Sequence, residues 1–205
     1  GREPAAELER SFGVPVLEFA GVPVGYEAVE KFLNAVVSKL DLPGQAAEVF
    51  LQRERQLFYG SLRPIADVYY TEHIGRPAAI FADEARIAAL SEFLEKYFGV
   101  CAALKIITDD AEKQESRDIQ GIEQTARIAE EAGAEIIIGT SLEDEIANKL
   151  KIPLLQIGYP LSRQVVINKH YSGIHGALRL AEDYVSLIVK KNDEEDMERL
   201  KSIGR

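Results

Sequence analysis

The sequence predicts an α/β fold, a doubly wound parallel sheet preceded by a helical connector, and three observations lead there. Four short apolar runs, at residues 77–82, 101–107, 135–139 and 152–157, are separated by stretches with helical periodicity. Runs without polar alternation mark strands buried on both faces, as parallel sheets require. Each intervening stretch has the length of a crossover helix, and right-handed crossovers wrap such helices over both faces of the sheet.

The elements follow in order. Residues 14–19 read as a short strand, and Gly21-Val22-Pro23-Val24-Gly25 as a turn that cannot continue a ladder. Val29, Phe32, Leu33, Val36, Val37 and Leu40 recur at helical spacing until Leu42-Pro43-Gly44 interrupts them. A second helical stretch runs from Gln45 towards Tyr70, with a break expected at Pro64. Asp83 stands where the helix after the first buried strand needs an N-cap. Ile87, Leu90, Phe93, Leu94 and Tyr97 stripe that helix, and Gly99 ends it. Ile119, Ile122, Ala126 and Ala129 stripe the next, which closes at Gly133. Thr140-Ser141-Leu142-Glu143 has the spacing of a capping box. A last helix over about 172–190 buries Ile174, Ala177, Leu178, Ala181, Tyr184, Val185 and Ile188, and the charged tail from Asn192 to Arg205 reads as a frayed, solvated helix. The domain reading is therefore a connecting strand and helices over 1–75, a Rossmann-like domain over 76–191 and a charged tail over 192–205.

Composition narrows the function classes. The 205-residue chain carries a formal net charge of −10 and a pI near 4.9. Such a surface repels nucleic acid and anionic membranes, while leaving room for a small anion at a local basic or helix-terminal site. One cysteine, Cys101, permits neither an internal disulfide nor a cysteine cage. No stretch reads as a membrane span or signal peptide, so the expected compartment is the cytoplasm. The chain opens at Gly1-Arg2-Glu3-Pro4 without an initiator methionine, as an excised or processed segment would.

Ligands of doubly wound sheets bind beyond the carboxyl ends of the strands. That rim comprises Ala82-Asp83, Thr108-Asp109-Asp110, Gly139-Thr140-Ser141 and Gly158-Tyr159-Pro160. Amides opening the helix at Ser141 are a candidate anion site, with Thr140 and Glu143 as a simple cap the competing reading. No phosphate-binding loop, dinucleotide glycine fingerprint or serine-nucleophile elbow is present. His170 and His175 are five apart, off a common helical face, and His73 is remote in sequence, so no metal site is assigned. Cys101 is read as a small buried hydrophobe within its strand. Asp109-Asp110 and Glu143-Asp144-Glu145 are read as solvated faces. Physics alone names no reaction.

Four stations in the chain supply more. They are Gly13-Val14-Pro15 with Val22-Pro23-Val24-Gly25-Tyr26-Glu27-Ala28 and Phe32-Leu33; the helix from Glu54-Arg55-Gln56-Leu57 to Gly75-Arg76; Ile152-Pro153-Leu154-Leu155-Gln156-Ile157-Gly158-Tyr159-Pro160-Leu161; and Gly173-Ile174-His175-Gly176-Ala177. Together, in this order and spacing, they resemble the C-terminal region of nitrogenase component 1 subunits. The resemblance implies a third Rossmann-like domain with connecting helices, taken from a cytoplasmic oxidoreductase subunit. It also implies a homologous component 1 subunit and an ATP-dependent iron protein as partners. A metal–sulfur cluster is implied for the full-length complex, with none held by this segment, whose cluster-binding cysteines would lie upstream.

Departures refine the resemblance. Ser172 stands where the cofactor-holding subunit has a histidine, Glu143-Asp144-Glu145 where it has a lysine, and only Arg163 remains of an Asp-Arg pair after Pro160. A soft metal would lose its imidazole ligand there. These differences place the chain nearer the beta-type or scaffold-type branch, or a divergent nitrogenase-like reductase. The candidate cofactor-binding residues are Thr140, Ser141, Tyr159, Ser172 and His175, and no catalytic residue or metal ligand is named. Three functions compete: a redox-enzyme subunit, a cofactor-biosynthesis scaffold of the same family, and an unrelated small-molecule binder on the same fold. Exposed apolar area is expected on the helices before Arg76, where other parts of a larger assembly would dock.

Overall fold

The computed structural model describes residues 2–108 and 119–203. Asp109 and Asp110 of the predicted rim therefore lie outside the described residues. The chain opens with α1 (Arg2–Phe12), which the sequence reading did not anticipate, and Pro4 sits in its first turn, where a missing N–H costs nothing. The helices α2 (Tyr26–Lys39), α3 (Gln45–Leu62) and α4 (Ile65–Glu72) follow, and the break between the last two falls at Arg63-Pro64 as expected. Residues 13–20 form no strand, contrary to the expectation for 14–19. Alternating apolar residues favour an extended chain, but a strand also needs a neighbour. The segment's nearest pairing is a single parallel bridge from Val24 to Gly173.

The sheet contains β1 (Ala78–Ala82), β2 (Ala102–Ile107), β3 (Ile136–Gly139) and β4 (Leu154–Gln156) in the order β2-β1-β3-β4. All three pairings are parallel. The connecting helices are α5 (Glu84–Phe98), α6 (Ile119–Glu131) and α7 (Asp144–Leu150), the last led by a 3₁₀ turn over Ser141–Glu143. The chain ends on α8 (Gly173–Ile203), 31 residues long.

Alternation along each strand divides the core in two. Ala78, Ile80, Ala82, Ile136, Ile138 and Leu155 face one side, packing with residues of α5, α8 and the connector helices α2 to α4. Ala79, Phe81, Ile137 and Leu154 face the other, against α6 and α7. The sheet is therefore covered on both faces, the doubly wound arrangement the sequence predicts. Asp83 caps α5 by accepting the Arg86 amide at 2.9 Å, and Gly99 ends it in the left-handed conformation that glycine adopts without steric cost.

One expectation is corrected at the sheet's rim. Cys101 is exposed, not buried: it precedes β2 on the sheet's edge. Its carbonyl accepts the amides of Ala78 and Ala103, beside a register shift at Ala78/Ala79. The bulge takes the residue out of the apolar layer. The charged tail, in turn, continues α8 without interruption. Asn192 fastens it by donating to the Glu72 carbonyl at 2.8 Å and its carboxylate at 2.9 Å, and by accepting from Arg76.

A carboxylate fixes the connector to the sheet layer. Glu27 of α2 accepts from Tyr59 at 2.6 Å, from Lys96 at 2.7 Å and from Tyr97. Burial alone would raise its pKa, but the donors outweigh it and hold the group at about 2, against an ordinary 4.5.

Candidate functional site

The strand order reverses between β1 and β3, so their carboxyl ends diverge and leave a crevice. A cleft of about 260 Å³ occupies it, walled by Ala82, Asp83, Thr108, Thr140, Tyr159 and Pro160. A second cleft of about 310 Å³ adjoins it, bounded by Val22, Val24, Leu90, Lys169, His170 and Ser172. Arg86, Ile157 and Gly158 line both, so the two clefts share one wall.

The loop after β4 is fixed by a polar knot. Gln156 accepts the Ser162 amide at 2.9 Å, and the Ser162 hydroxyl donates to Asp144 at 2.9 Å. The peptide between Tyr159 and Pro160 is cis, and the Pro160 carbonyl accepts the Ser141 amide at 2.8 Å. Tyr159 projects 91% exposed at the mouth of the first cleft.

The start of α8 is held by the bridge to the connector: the Gly25 amide donates to the Gly173 carbonyl, and the Gly173 amide to the Pro23 carbonyl. The residues 170–171 then fold back over Gly176. A Cβ at that position would stand 2.7 Å from the Tyr171 carbonyl carbon and 3.1 Å from the His170 carbonyl oxygen, so only glycine fits. Tyr171 donates to Asp183 at 2.7 Å, and burial first, then this carboxylate, raises its pKa. Asp183 also pairs with Lys169 at 2.9 Å.

Thr140 and Tyr159 meet in the first cleft, and Ser172 lies in the second. Ser141 and His175 line neither. The amides at Ser141 are already engaged. Glu143 accepts the Thr140 amide at 2.7 Å and its hydroxyl at 2.8 Å, while the Leu142 amide donates to the Thr140 hydroxyl. Glu143 is buried, correcting its reading as solvated, because the capping box draws the carboxylate inward. His175 is exposed, and its Nε2 stands 3.1 Å from Oε2 of the buried Glu54 on α3, to which no donor aligns for a full hydrogen bond.

Sequence reasoning missed Arg86 and Lys169 as cleft residues. Arg86 was legible in outline, since an arginine three positions past an N-cap at the end of the first strand must stand at the sheet's carboxyl edge. Lys169 was not, because its place depends on the irregular loop before α8.

Among the described residues no three His, Cys, Asp or Glu converge. A metal–sulfur cluster is held by thiolates, and Cys101 lies at the amino end of β2, across the sheet from the clefts. The described residues therefore do not fit a cluster as its ligands. They fit a wall.

Comparison with known proteins decides the family. Residues 1–189 match the family model described as nitrogenase component 1 type oxidoreductase. The chain belongs to that family. It is 25% identical over 211 residues to the nitrogenase molybdenum-iron protein beta chain of Methanothermobacter marburgensis, covering 93% of this chain and 43% of that one. It is also 25% identical to the nitrogenase iron-iron protein beta chain of Rhodobacter capsulatus, covering 95% of this chain and 45% of that protein. A solved structure titled Nitrogenase Cp1 at pH 6.5 superposes with a TM-score of 0.65 at 19% identity, over 93% of this chain and 43% of that one, which shows the shared fold. The chain thus spans less than half the length of these relatives. The shared fold is the α/β arrangement the sequence predicts, and no helix among the described residues is long and apolar enough to cross a membrane.

Proposed function

We propose that this chain is a beta-type part of a nitrogenase-like component 1 assembly, where it forms one non-ligating wall of the chamber that holds a metallocofactor or a reducible substrate. The family match over residues 1–189 carries this reading. The similarity to two nitrogenase beta chains supports the beta-type assignment. The paired clefts at the carboxyl edge of the sheet support the wall, since ligands of such sheets bind there. Thr140, Tyr159 and Ser172 line it, with Ser141 bracing the Tyr159-Pro160 turn and His175 standing on the flank against Glu54.

In this reading a homologous component 1 subunit closes the chamber, electrons arrive from an ATP-dependent iron protein in the cytoplasm, and cluster ligands come from outside the described residues. The chain, its domain over 76–191 resting on the connector over 1–75, positions and encloses. The apolar side chains Leu8, Phe12, Val49, Phe50 and Tyr70 are all exposed on the helices before Arg76, a surface suited to burial in such an assembly.

The test is anaerobic purification of the parent protein from its native cells. The expected result is a brown complex containing a second component 1-type subunit and stoichiometric iron, while the isolated 205 residues are colourless. A parent protein that purifies alone and free of iron overturns the proposal.

A further inference from the structure

The second cleft is unusual for a chain of net charge −10, because the two charged side chains in its lining, Arg86 and Lys169, are both basic. Lys169 is neutralised by Asp183, and His170 Nδ1 stands 3.1 Å from the Ser172 carbonyl. Arg86 is different. Its Nε pairs with Asp83 Oδ2 at 3.2 Å, on the side of the first cleft. This contact engages one nitrogen of a half-exposed side chain and leaves the terminal nitrogens without an acceptor among the described residues. One of them, Nη1, stands 3.4 Å from where a side chain at Gly158 would begin, on the wall the clefts share. A guanidinium held at one nitrogen, with two parallel donors free, matches the two oxygens of a carboxylate or phosphate. Val22, Val24, Leu90 and Ile157 offer an organic body the apolar surface that ligand pockets use.

We propose that Arg86 is an anion anchor, binding the carboxylate or phosphate end of a small organic molecule whose body lies along the second cleft. The assignment rests on the reading of these clefts as a binding chamber, and names the chemical class of what they take. Asp83 engages the guanidinium at Nε, and Gly158 keeps the approach to its terminal nitrogens open.

The test is a titration of the ¹⁵N-labelled 205-residue chain at constant ionic strength, with sodium phosphate in one arm and sodium butyrate in the other, read by amide shifts. Saturable shifts at Arg86, Gly158 and Ser172 are expected in at least one arm, and the tighter arm identifies the head group. Arg86→Gln should weaken binding about tenfold or more through loss of the charged fork. Gly158→Leu should do the same while keeping the charge, which separates blocked access from a damaged fold. Shifts that never saturate, or variants that bind as tightly as the unsubstituted chain, overturn the anchor. The two proposals fail separately. A parent protein that assembles with its partner but binds no anion loses only the anchor, and a chain that binds anions but whose parent assembles with nothing loses the assembly role.

Discussion

Single residues carry the most local claims. Gly176 is required by the backbone of residues 170–171, so Gly176→Ala should overpack the start of α8 and cost roughly 1–3 kcal/mol in denaturant unfolding. Glu27 makes a pH prediction whose sign follows from its lowered pKa. The folded chain keeps this carboxylate ionised down to about pH 2, whereas the unfolded chain protonates it near 4.5. Its stabilisation is therefore complete above the higher value and disappears as pH falls through the interval. Glu27→Gln should cost roughly 2 kcal/mol at neutral pH, the scale of hydrogen bonds to a charged group, and the gap to the parent should close by about pH 2 in urea titrations. The sequence showed Asp83 and Thr140 as caps because a cap is written in neighbouring residues. It did not show that Cys101 is exposed or that Glu27 gathers Tyr59, Lys96 and Tyr97, since these depend on a sheet edge and on partners up to 70 positions away.

Among the elements, α8 is the most informative. Its first half buries Ile174, Ala177, Leu180, Ala181, Tyr184 and Ile188, and Tyr184 donates to the Ile74 carbonyl. Beyond the Asn192 fastening, Met197 and Leu200 are exposed. Hydrogen exchange should therefore show strong protection through Asn192 and a fall after it, although the helix is continuous. Asn192→Ala should destabilise the fold by ~1–2 kcal/mol, from the donor and acceptor groups it leaves unpaired, whereas Met197→Ser should be nearly neutral. Uniform protection to the last turn would contradict this division. The apolar stripe from Ile174 to Ile188 was readable as a helix. Its continuation was readable as a helix from the charged tail, but the Asn192 fastening was not, because its partner Glu72 lies 120 positions away. The strand expected at 14–19 failed for the opposite reason: its pattern was right, but the described structure gives it no neighbour.

At the scale of the molecule, the sheet was legible because four apolar runs separated by helical stripes admit few arrangements. The clefts were legible only as a rim. Their walls combine that rim with the connector's Val22 and Val24 and the loop at 169–172, which folding brings together from distant parts of the chain. The connector helices share one core with the sheet face covered by α5 and α8. They are integral to the domain's stability, and Phe58→Ala in α3 should destabilise the whole fold by about 3–5 kcal/mol in a single cooperative transition. The central claim, that this chain walls a cofactor chamber without ligating what it holds, is most directly tested by electron cryo-microscopy of the anaerobically purified parent complex. The account predicts density for a cofactor or substrate against Thr140, Tyr159 and Ser172, with no bond to iron from Cys101. Iron ligated by Cys101, or a complex in which these clefts open only to solvent, would contradict it.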